Sequence, residues 1–350
     1  MENDPPAYQG NGTVMSQLEV GERIPFILSG LGPGSGSGCR CALNCGDRAK
    51  MNRIKQIFFL LCILPWMTGP AFGLELHDQA GRLVKMPARV RRIVALAPSI
   101  TEIIYALGQE KRLAGVTQYS DYPEAAKNLP RIGSYVRLDL ERIVALKPDI
   151  CFGIREGNPK QEVEKIEALG IPVYIIDPRN LEGIMEAIKG MGAALGASET
   201  AEALTREMGR RIARVSRLAR AAASRPRVFF QVDAAPIITA GTNTFTHELI
   251  TLAGGRNLGA GPVPYPRLSW EQALALNPEI VVITSMAGGH SPESLKAQWR
   301  QWQQLPAVRQ NRLYVVEAGL FDRPTPRLVE GLEALAGIIH PELYGGPGGK

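Results

Sequence analysis

Histidine and cysteine are the residues most suited to bind a metal ion or to act in catalysis, and this chain contains few of them. The four histidines are His77, His247, His290 and His340, and no pair has the H-x-H or H-x-x-x-H spacing of a shared metal ion. The cysteines of "CRCALNC" (39–45) are close together, but no second cluster completes a set of four ligands. Neither a G-x-S-x-G elbow nor a Walker loop is present. We therefore predict no catalytic residues, no resident cofactor and no protein-bound metal.

Tyrosines beside predicted strands and helices form a candidate binding site. Tyr119 and Tyr122 lie in "QYSDYP", directly after the apolar run "LAGVT". Tyr135 and Tyr265 precede two helical stretches. Ligands of α/β sheets bind beyond the carboxyl ends of the strands, and a tyrosine offers a flat apolar face with a hydroxyl. We expect Tyr119, Tyr135 and Tyr265 to line a cleft for a large, partly apolar ligand, whereas for Tyr122 packing on its own loop is an equally good interpretation.

Two segments of the chain are versions of one another. "YVRLDLERIVALKPDI" (135–150) and "YPRLSWEQALALNPEI" (265–280) are separated by a constant offset of 130 residues, and each predicts a helix followed by a strand. Glu141 and Glu271 fall at the same position, in the first turn after the candidate capping residues Asp139 and Ser269. The helix dipole alone favours a carboxylate there. The repeat also places one exposed carboxylate on each of two related units.

Short apolar runs alternate with helical stretches along the rest of the chain, which predicts an α/β fold with mainly parallel sheets covered on both faces. The helix in "SITEIIYALG" is predicted to be capped by Ser99 and closed by Gly108. The helix in "THELITLAGG" is predicted to be capped by Thr246, with His247 in its first turn. The candidate strands are "RRIVALA" (91–97), "RLAGVT", "DICFG", "VYIID", "RVFFQV" (227–232), "IVVIT" (280–284) and "LYVVEA" (313–318).

A long helix is predicted over residues 198–224, capped by Ser198 and free of proline. Its apolar residues have helical spacing, and a helix of this length spans on the order of 37 Å. It separates an N-terminal α/β lobe (74–197) from a C-terminal α/β lobe (225–345). Its arginine-rich face is interpreted as solvated rather than as a nucleic-acid stripe, because the net charge of +6 is only a mild basic bias.

Residues 51–73, "MNRIKQIFFLLCILPWMTGPAFG", have the parts of a secretory signal peptide: a basic start, a short apolar stretch and a small-x-small cleavage site. The apolar stretch falls short of the ~20 residues that a membrane span needs. Residues 1–50 are interpreted as a non-native or disordered upstream extension. After the signal, Cys151 is the only cysteine, so we expect no internal disulfide. Export without a disulfide fits a bacterial periplasm.

The segment "GVTQYSDYPEAAKNLPRIGSYVRLDLERIVALKPDI" (115–150) resembles the cobalamin-binding proteins of bacterial ABC importers. These belong to the helical-backbone class of periplasmic binding proteins. The likeness continues through "TAGTNTFTHELITLAGGRNL", "PYPRLSWEQALALNPEIVVIT" and "LPAVRQNRLYVVEA", and it extends from residue 92 to residue 341. It implies two Rossmann-like lobes joined by a long rigid backbone helix, with the ligand held in a cleft between the lobes.

The resemblance also implies which residues contact the ligand. Tyr119 matches a family aromatic residue that packs on the corrin ring. Tyr135 and Tyr265 fall where the best-known members have tryptophan. Ile154 and Ile238 fall where those members have aromatic residues. These departures leave the class unchanged and leave the ligand open.

Three further positions carry roles in the resembling family. Gly319 falls where members have an aspartate that contacts the ligand. Glu141 and Glu271 match glutamates that pair with arginines on the two permease subunits. A pseudo-symmetric protein that meets a two-fold symmetric partner needs the same charge twice, which accounts for the repeated segment.

The resemblance implies a periplasmic protein that captures cobalamin or a related corrinoid and delivers it to a permease dimer with cytoplasmic ATPase subunits. Cobalamin is then a transported ligand, not a cofactor. A ferric siderophore or haem, carried by the same class, is the alternative ligand. A periplasmic enzyme on this scaffold, such as a chelatase, would need a His or carboxylate cluster in the cleft, and the sequence indicates none. We expect a monomer that binds no nucleic acid.

We predict that the mature chain begins at or near Leu74, because cleavage should follow the small residues Ala71 and Gly73. A chain that starts at Met51 should be exported normally. N-terminal sequencing of the exported protein checks this prediction. Finding residues 1–50 on that protein would overturn it.

Overall fold

The structure, a computed structural model, describes residues 74–284 and 291–344. The predicted signal peptide and upstream extension lie outside these ranges. Residues 74–197, here called the N-lobe, contain the strands β1 (Glu75–His77), β2 (Leu83–Lys85), β3 (Ile93–Ala95), β4 (Leu113–Val116), β5 (Ile150–Ile154) and β6 (Val173–Ile176). The hairpin β1–β2 is antiparallel, and the remaining strands form a parallel sheet in the order β4-β3-β5-β6.

Helices cover both faces of the N-lobe sheet, and all five residues of β5 are buried, as expected for a central parallel strand. Ser99 does not cap the first helix, which was predicted wrongly. Pro98 is the first residue of this helix, and proline has no backbone N–H that a cap would have to satisfy. Ser99 is therefore already inside the first turn, where it is buried. Gly108, with a φ of 67°, follows the helix end as predicted. The helices are α1 (Pro98–Ala106), α2 (Leu140–Ala145), α3 (Lys160–Ala168) and α4 (Leu181–Leu195).

Residues 221–344, here called the C-lobe, contain a second sheet. Its strands are β7 (Arg227–Ala234), β8 (Ile237–Thr239), β9 (Arg256–Asn257), β10 (Arg267–Leu268), β11 (Ile280–Ile283) and β12 (Leu313–Val315). The order is β10-β8-β7-β11-β12, and β9 pairs with β7. Strands β7, β9, β11 and β12 are parallel, but β8 turns back directly on β7, so this sheet is mixed.

The C-lobe helices alternate with strands as predicted, but one capping residue was predicted wrongly. Thr244, not Thr246, caps the helix that carries His247. Its Oγ1 accepts the backbone N–H of His247 at 3.2 Å, because Thr244 is still extended while Thr246 is already helical. In chain order the remaining helices are α5 (Ser198–Arg220), α6 (Phe245–Leu252), α7 (Trp270–Ala275), α8 (Pro292–Arg300), α9 (Pro306–Arg309), α10 (Ala318–Phe321), α11 (Leu328–Ile339) and α12 (Pro341–Tyr344).

Helix α5 connects the two lobes. Its 23 residues give a length of about 34 Å, and it ends four residues before the predicted end, just after its last buried side chain, Ala219. Ser198 is its first residue and not its cap, because Gly196 (φ 67°) turns the chain from α4 almost directly into α5 and leaves Ala197 at the cap position. One continuous apolar cluster runs through the N-lobe, α5 and the C-lobe.

The repeated sequence is also a repeated structure. Lys147 and Asn277, 130 residues apart, both adopt left-handed backbone conformations, with φ of 46° and 49°. The carboxylate of Asp149 accepts two backbone N–H groups just before β3, at 2.7 and 2.8 Å, and Glu279 accepts the first N–H of β7 at 2.7 Å. The predicted α/β architecture of two lobes and a long connecting helix is confirmed. Among the described helices, none combines the length and apolar character that crossing a bilayer requires.

Candidate ligand-binding cleft

Arg323 bridges the two lobes. It follows α10 in the C-lobe, and its Nη1 donates to Glu102 Oε1 at 3.0 Å and to Asp121 Oδ1 at 2.6 Å. Its Nη2 donates to the backbone oxygen of Tyr119 at 3.2 Å. All three acceptors belong to the N-lobe, on α1 and on the loop after β4. The guanidinium thus marks where the loops beyond the two sheets meet.

Glu102 lies at the centre of this contact, with its side chain only 3% exposed. Burial raises the pKa of Glu102, although the hydrogen bond from Arg323 and the charges of Arg323 and Arg327 oppose that effect. Arg327 Nη1 lies 3.7 Å from Glu102 Oε2, and its Nη2 donates to Glu317 Oε1 at 3.0 Å. The same guanidinium stacks 3.7 Å from the centre of the Tyr122 ring. Tyr122 therefore packs across to the C-lobe and not only on its own loop.

Tyr119 and Tyr135 form an aromatic pair on the N-lobe. Their ring centroids are 5.9 Å apart in an edge-to-face arrangement, and Tyr119 is 50% exposed. Tyr135 packs against Gly157, where a Cβ would lie 3.2 Å from the ring. Asn158 fixes this region, because its amide donates to the backbone oxygen of Tyr135 at 2.8 Å and accepts the N–H of Ile154 at 2.8 Å. The structure thus brings Tyr119, Tyr135 and Ile154 together.

Tyr265 lies in the C-lobe and is partly buried. Burial raises the pKa of its hydroxyl, and the negative charges of Glu156 in the N-lobe and Asp322 in the C-lobe raise it further. Glu156 belongs to the turn that carries Gly157, against which Tyr135 packs. Carboxylates of both lobes therefore act on the Tyr265 hydroxyl.

The remaining predicted ligand contacts differ in how much surface they offer. Ile154, at the end of β5, is only 9% exposed. Ile238, in β8, is partly buried and packs on the main apolar cluster. A Cβ on Gly319 would lie 3.3 Å from Glu317 Oε1 and 3.7 Å from Arg327 Nη1, so this glycine lies beside the cleft arginines.

Glu141 and Glu271 are exposed in the first turns of α2 and α7. The predicted caps Asp139 and Ser269 are confirmed, since each side chain accepts the backbone N–H three residues later, at 3.1 and 3.3 Å. A hydrogen bond from Ser269 lowers the pKa of Glu271. Both glutamates are therefore available to a partner.

Within residues 74–284 and 291–344, no group of three His, Cys, Asp or Glu side chains is placed to hold a metal ion. His247 Nδ1 lies 3.1 Å from the amide of Asn257, and His340 is buried 3.0 Å from Glu342. His290 and the cysteines of "CRCALNC" lie outside the described residues.

Comparison with known proteins identifies the family. Residues 93–319 match the family described as periplasmic binding protein. The chain belongs to the periplasmic binding protein family. A vitamin B12-binding protein of Vibrio cholerae is 32% identical over 256 residues, which cover 72% of this chain and 90% of that protein.

Two solved structures extend the relationship. The crystal structure of the periplasmic vitamin B12-binding protein of Vibrio cholerae aligns with a TM-score of 0.63 and 31% identity, over 71% of this chain and 96% of that one. A periplasmic heme-binding protein from Roseiflexus in its apo form aligns with a TM-score of 0.66 and 30% identity, over 72% of this chain and 99% of that one. The family predicted from the sequence, that of the periplasmic binding proteins, is confirmed.

Sequence reasoning missed the charged residues at the centre of the cleft of this periplasmic binding protein: Glu102, Asp121, Arg323 and Arg327. Two signals could have found them. Glu102 interrupts the apolar face of α1, and a buried carboxylate needs a partner. The arginines of "FDRPTPR" follow the strand "LYVVEA", and residues beyond the carboxyl end of a strand are placed at the ligand crevice.

Asp322 gives a test of the electrostatics of the cleft. Burial raises the pKa of its carboxyl from an ordinary 3.8 to about 7, although Thr284 Oγ1 donates to Oδ1 at 3.2 Å. Asp322 ionises near pH 4 in the unfolded chain and near pH 7 in the folded chain. The stabilisation of the folded state by the protonated carboxyl is therefore complete below pH 4. That contribution is lost as the pH rises through about 7.

We predict that the free energy of unfolding falls between pH 5 and pH 8 by about 2 kcal/mol more in the wild type than in Asp322→Asn. The asparagine keeps the Oδ1 acceptor and cannot ionise. Urea unfolding of both proteins at the two pH values checks this. Equal pH dependence in the two proteins would show that Asp322 is already ionised in the folded state.

Proposed function

We propose that this periplasmic binding protein captures a corrinoid, with cobalamin first, and delivers it to the permease of an ABC importer. The likeness to the vitamin B12-binding protein of Vibrio cholerae supports this, since the chain spans 90% of that protein in the sequence comparison and 96% of the chain in the crystal structure. The carrier role fits the family, and we propose no enzymatic turnover. The observation that carries the choice of ligand is the charge balance of the cleft.

The arginines of the cleft are already neutralised by the protein. Arg323 and Arg327 face the carboxylates of Glu102, Asp121 and Glu317, three negative charges against two positive ones. Nearby, Arg179 pairs with Glu156 at 3.4 Å and with Asp177 at 2.9 Å. An anionic ligand would have to compete for these guanidinium groups or leave a carboxylate buried without a partner, which is costly. A neutral macrocycle such as cyanocobalamin avoids that cost.

Buried polar atoms of the cleft also suit the peripheral amides of a corrin ring. Within the described part of the chain, Glu102 Oε2 and Arg327 Nε are buried without a hydrogen-bond partner. A primary amide both donates and accepts, so it can satisfy a carboxylate oxygen and a guanidinium N–H. Both atoms are closed to solvent, so a ligand amide would reach them only when the loops around Arg327 part, and it would pair with them there.

The exposed tyrosine ring supplies the apolar contact. Tyr119 is half exposed and is held edge-on by Tyr135, so one face of its ring is available to a flat macrocycle. Aromatic contacts of this kind contribute about 0.5–1.5 kcal/mol beyond the burial of area. We propose Tyr119, Tyr135 and Tyr265 as ring contacts, and Ile154, Ile238 and Gly319 as the adjoining walls.

Haem or a ferric siderophore is the second candidate ligand. The observation that favours it is the exposed phenol of Tyr119, because a tyrosine oxygen can bind haem iron. The heme-binding protein from Roseiflexus is similar at 30% identity, so the fold itself accommodates either macrocycle. The two candidates differ in whether they use the ring of Tyr119 or its hydroxyl.

Delivery requires export and a docking surface. We propose that residues 51–73 direct the protein to the periplasm, and that Glu141 and Glu271 dock one on each subunit of a permease dimer. Both carboxylates are exposed, and they occupy the same position in two helices of the same local structure. A two-fold symmetric partner can therefore meet the same charge on each lobe.

We predict that Tyr119→Ala weakens cobalamin binding several-fold to tenfold, because it removes the exposed ring face. Tyr119→Phe should bind within about twofold of the wild type, because it keeps the ring. Calorimetric titration of cyanocobalamin into the three proteins checks this. Two results together would favour haem instead. The wild type would not bind cyanocobalamin, and it would bind haem in a way that Tyr119→Phe abolishes.

We predict that Glu141→Lys combined with Glu271→Lys weakens permease docking at least tenfold and abolishes uptake, because opposed interface charges are worth ~2–5 kcal/mol. Cobalamin affinity and thermal stability should stay close to the wild type. The matched control is Glu182→Lys with Glu199→Lys, which makes the same charge change in the first turns of α4 and α5. If the Glu141→Lys, Glu271→Lys variant docks like the wild type, or if the control variant loses docking equally, the docking proposal fails. Both glutamates would then only stabilise the starts of their helices.

A further inference from the structure

The second half of α5 presents arginines that have no acidic partner. Arg214, Arg217 and Arg220 are all exposed, and they follow one another at intervals of three residues along the solvent side of the helix. Within residues 74–284 and 291–344, none of these three side chains forms an ion pair. Their charges are therefore available to a partner outside the chain.

The other arginines of α5 differ, because the protein neutralises each of them. Two of the carboxylates involved belong to the first half of α5, and the third belongs to α11. The pairs are Arg206 with Glu202, Arg210 with Glu207 and Arg211 with Glu333. Helix α5 is thus charge-balanced in its first half and strongly basic in its second half.

Two further arginines extend the basic surface beyond the end of α5. Arg225 is exposed and lies just before β7, and Arg256 is exposed and begins β9. The backbone N–H of Arg256 donates to the oxygen of Pro226 at 2.8 Å, so Arg256 is held beside Arg225. In the part of the chain that the structure describes, neither arginine forms an ion pair. We call the surface formed by Arg214, Arg217, Arg220, Arg225 and Arg256 the arginine patch.

The arginine patch lies away from the ligand cleft. Arg225 and Arg256 are at the amino ends of β7 and β9, which run parallel to each other. Arg323, at the centre of the cleft, follows β12, beyond the carboxyl end of a strand that is parallel to the same set. A partner bound to the patch therefore leaves the cleft free.

A pocket of about 520 Å³ adjoins the patch at Arg214, between α5 and α11. Glu333 in its lining is already held by Arg211 through two hydrogen bonds, at 3.0 and 2.7 Å. The hydroxyl of Tyr344 donates to the backbone oxygen of Val215 at 2.8 Å. Arg214 is thus the charge in this pocket that the protein leaves unmatched. The lining consists of Arg214, Val215, Glu333, Ala334, Gly337, Ile338 and Tyr344.

The chemistry of the patch and pocket favours a surface that carries phosphate groups. The planar guanidinium of arginine binds phosphate through paired N–H groups. Arg214 and Arg220 are separated by about 9 Å along the helix, so the charges are spread out and do not converge on one small anion. Clusters of four to eight basic residues on a helix are typical of proteins that bind anionic lipids. The pocket has the volume of a small-molecule site, so it can hold a glycerol phosphate headgroup.

We propose that the arginine patch binds the anionic phospholipids of a bilayer that faces the periplasm, with one glycerol phosphate headgroup in the pocket at Arg214. The protein is then held at the membrane surface while its cleft remains open to a ligand. This inference goes beyond ligand transport. It rests on membership of the periplasmic binding protein family and not on the identity of the transported ligand.

The test measures co-sedimentation of the full exported protein with phospholipid vesicles at low salt. Vesicles of phosphatidylcholine with about one-third phosphatidylglycerol should bind the wild type, and pure phosphatidylcholine vesicles should not. Arg214→Gln combined with Arg217→Gln and Arg220→Gln should weaken binding at least tenfold, because each arginine near an anionic bilayer contributes about fivefold. Salt at about 0.5 M should release the wild type, since it screens exposed charges.

The matched control removes three exposed basic residues of the N-lobe, none of which forms an ion pair among the described residues. These residues are Lys85, Arg89 and Lys111. The control variant, with glutamine at all three positions, has the same net charge as the patch variant and should bind vesicles within about twofold of the wild type. Both variants should keep the thermal stability of the wild type, because the replaced side chains are exposed.

Three outcomes would overturn the inference. The wild type would not bind the phosphatidylglycerol vesicles, or the control variant would lose as much binding as the patch variant. In the third, soluble glycerol 3-phosphate would bind the wild type but not Arg214→Gln, while vesicle binding would be unaffected by the patch variant, which would assign the pocket to a free anion. Cyanocobalamin titration of the same proteins separates this inference from the proposed function: vesicle binding as predicted, in a protein that binds no cyanocobalamin, would support the patch and reject the ligand.

Discussion

The contact of one guanidinium with two carboxylates of the other lobe is the interaction on which the cleft depends. Arg323 reaches from the C-lobe to Glu102, which is almost fully buried, and to Asp121 at the loop after β4. Burial opposes the ionisation of Asp121, but the hydrogen bond and charge of Arg323 together lower its pKa. Removing the arginine would leave the buried carboxylate of Glu102 with the more distant Arg327, at 3.7 Å, and would release the contact to Asp121, so the loops on both lobes depend on Arg323.

Two other links make the position of the lobes definite. The apolar cluster passes without interruption through α5, and Glu248 in α6 accepts the backbone N–H of Leu181 at the start of α4 at 2.6 Å. That carboxylate lies at a helix N-terminus, where the helix dipole favours it. A frame fixed by a helix, an apolar core and two polar contacts favours small lobe movements. The recognition surfaces are then carried by short loops at the strand ends.

Local patterns predicted the elements well and the charged centre poorly. Alternating apolar runs located all four strands of the parallel N-lobe sheet and the parallel strands β7, β11 and β12 of the C-lobe sheet, but not its short strands β8, β9 and β10. The offset of 130 residues located the two matching helices. The predicted caps Ser99 and Ser198 are wrong, because a neighbouring proline or glycine sets the helix start instead. The pair of Arg323 and Glu102 joins positions 221 residues apart, and no local periodicity relates them. The proximity of Tyr119 and Tyr135 was predictable, because Tyr119 follows a strand and Tyr135 precedes the repeated helix, and both were expected in one cleft.

The central claim is that a cleft whose arginines are already neutralised selects a neutral macrocycle. Native mass spectrometry of residues 74–350, incubated with equal concentrations of cyanocobalamin and hemin, tests it most directly, because both ligands compete for one protein in one spectrum. The account predicts one cyanocobalamin per chain and no haem adduct at equilibrium. A haem adduct that displaces cyanocobalamin would contradict it, and would show that the ligand's carboxylates compete successfully for Arg323 and Arg327.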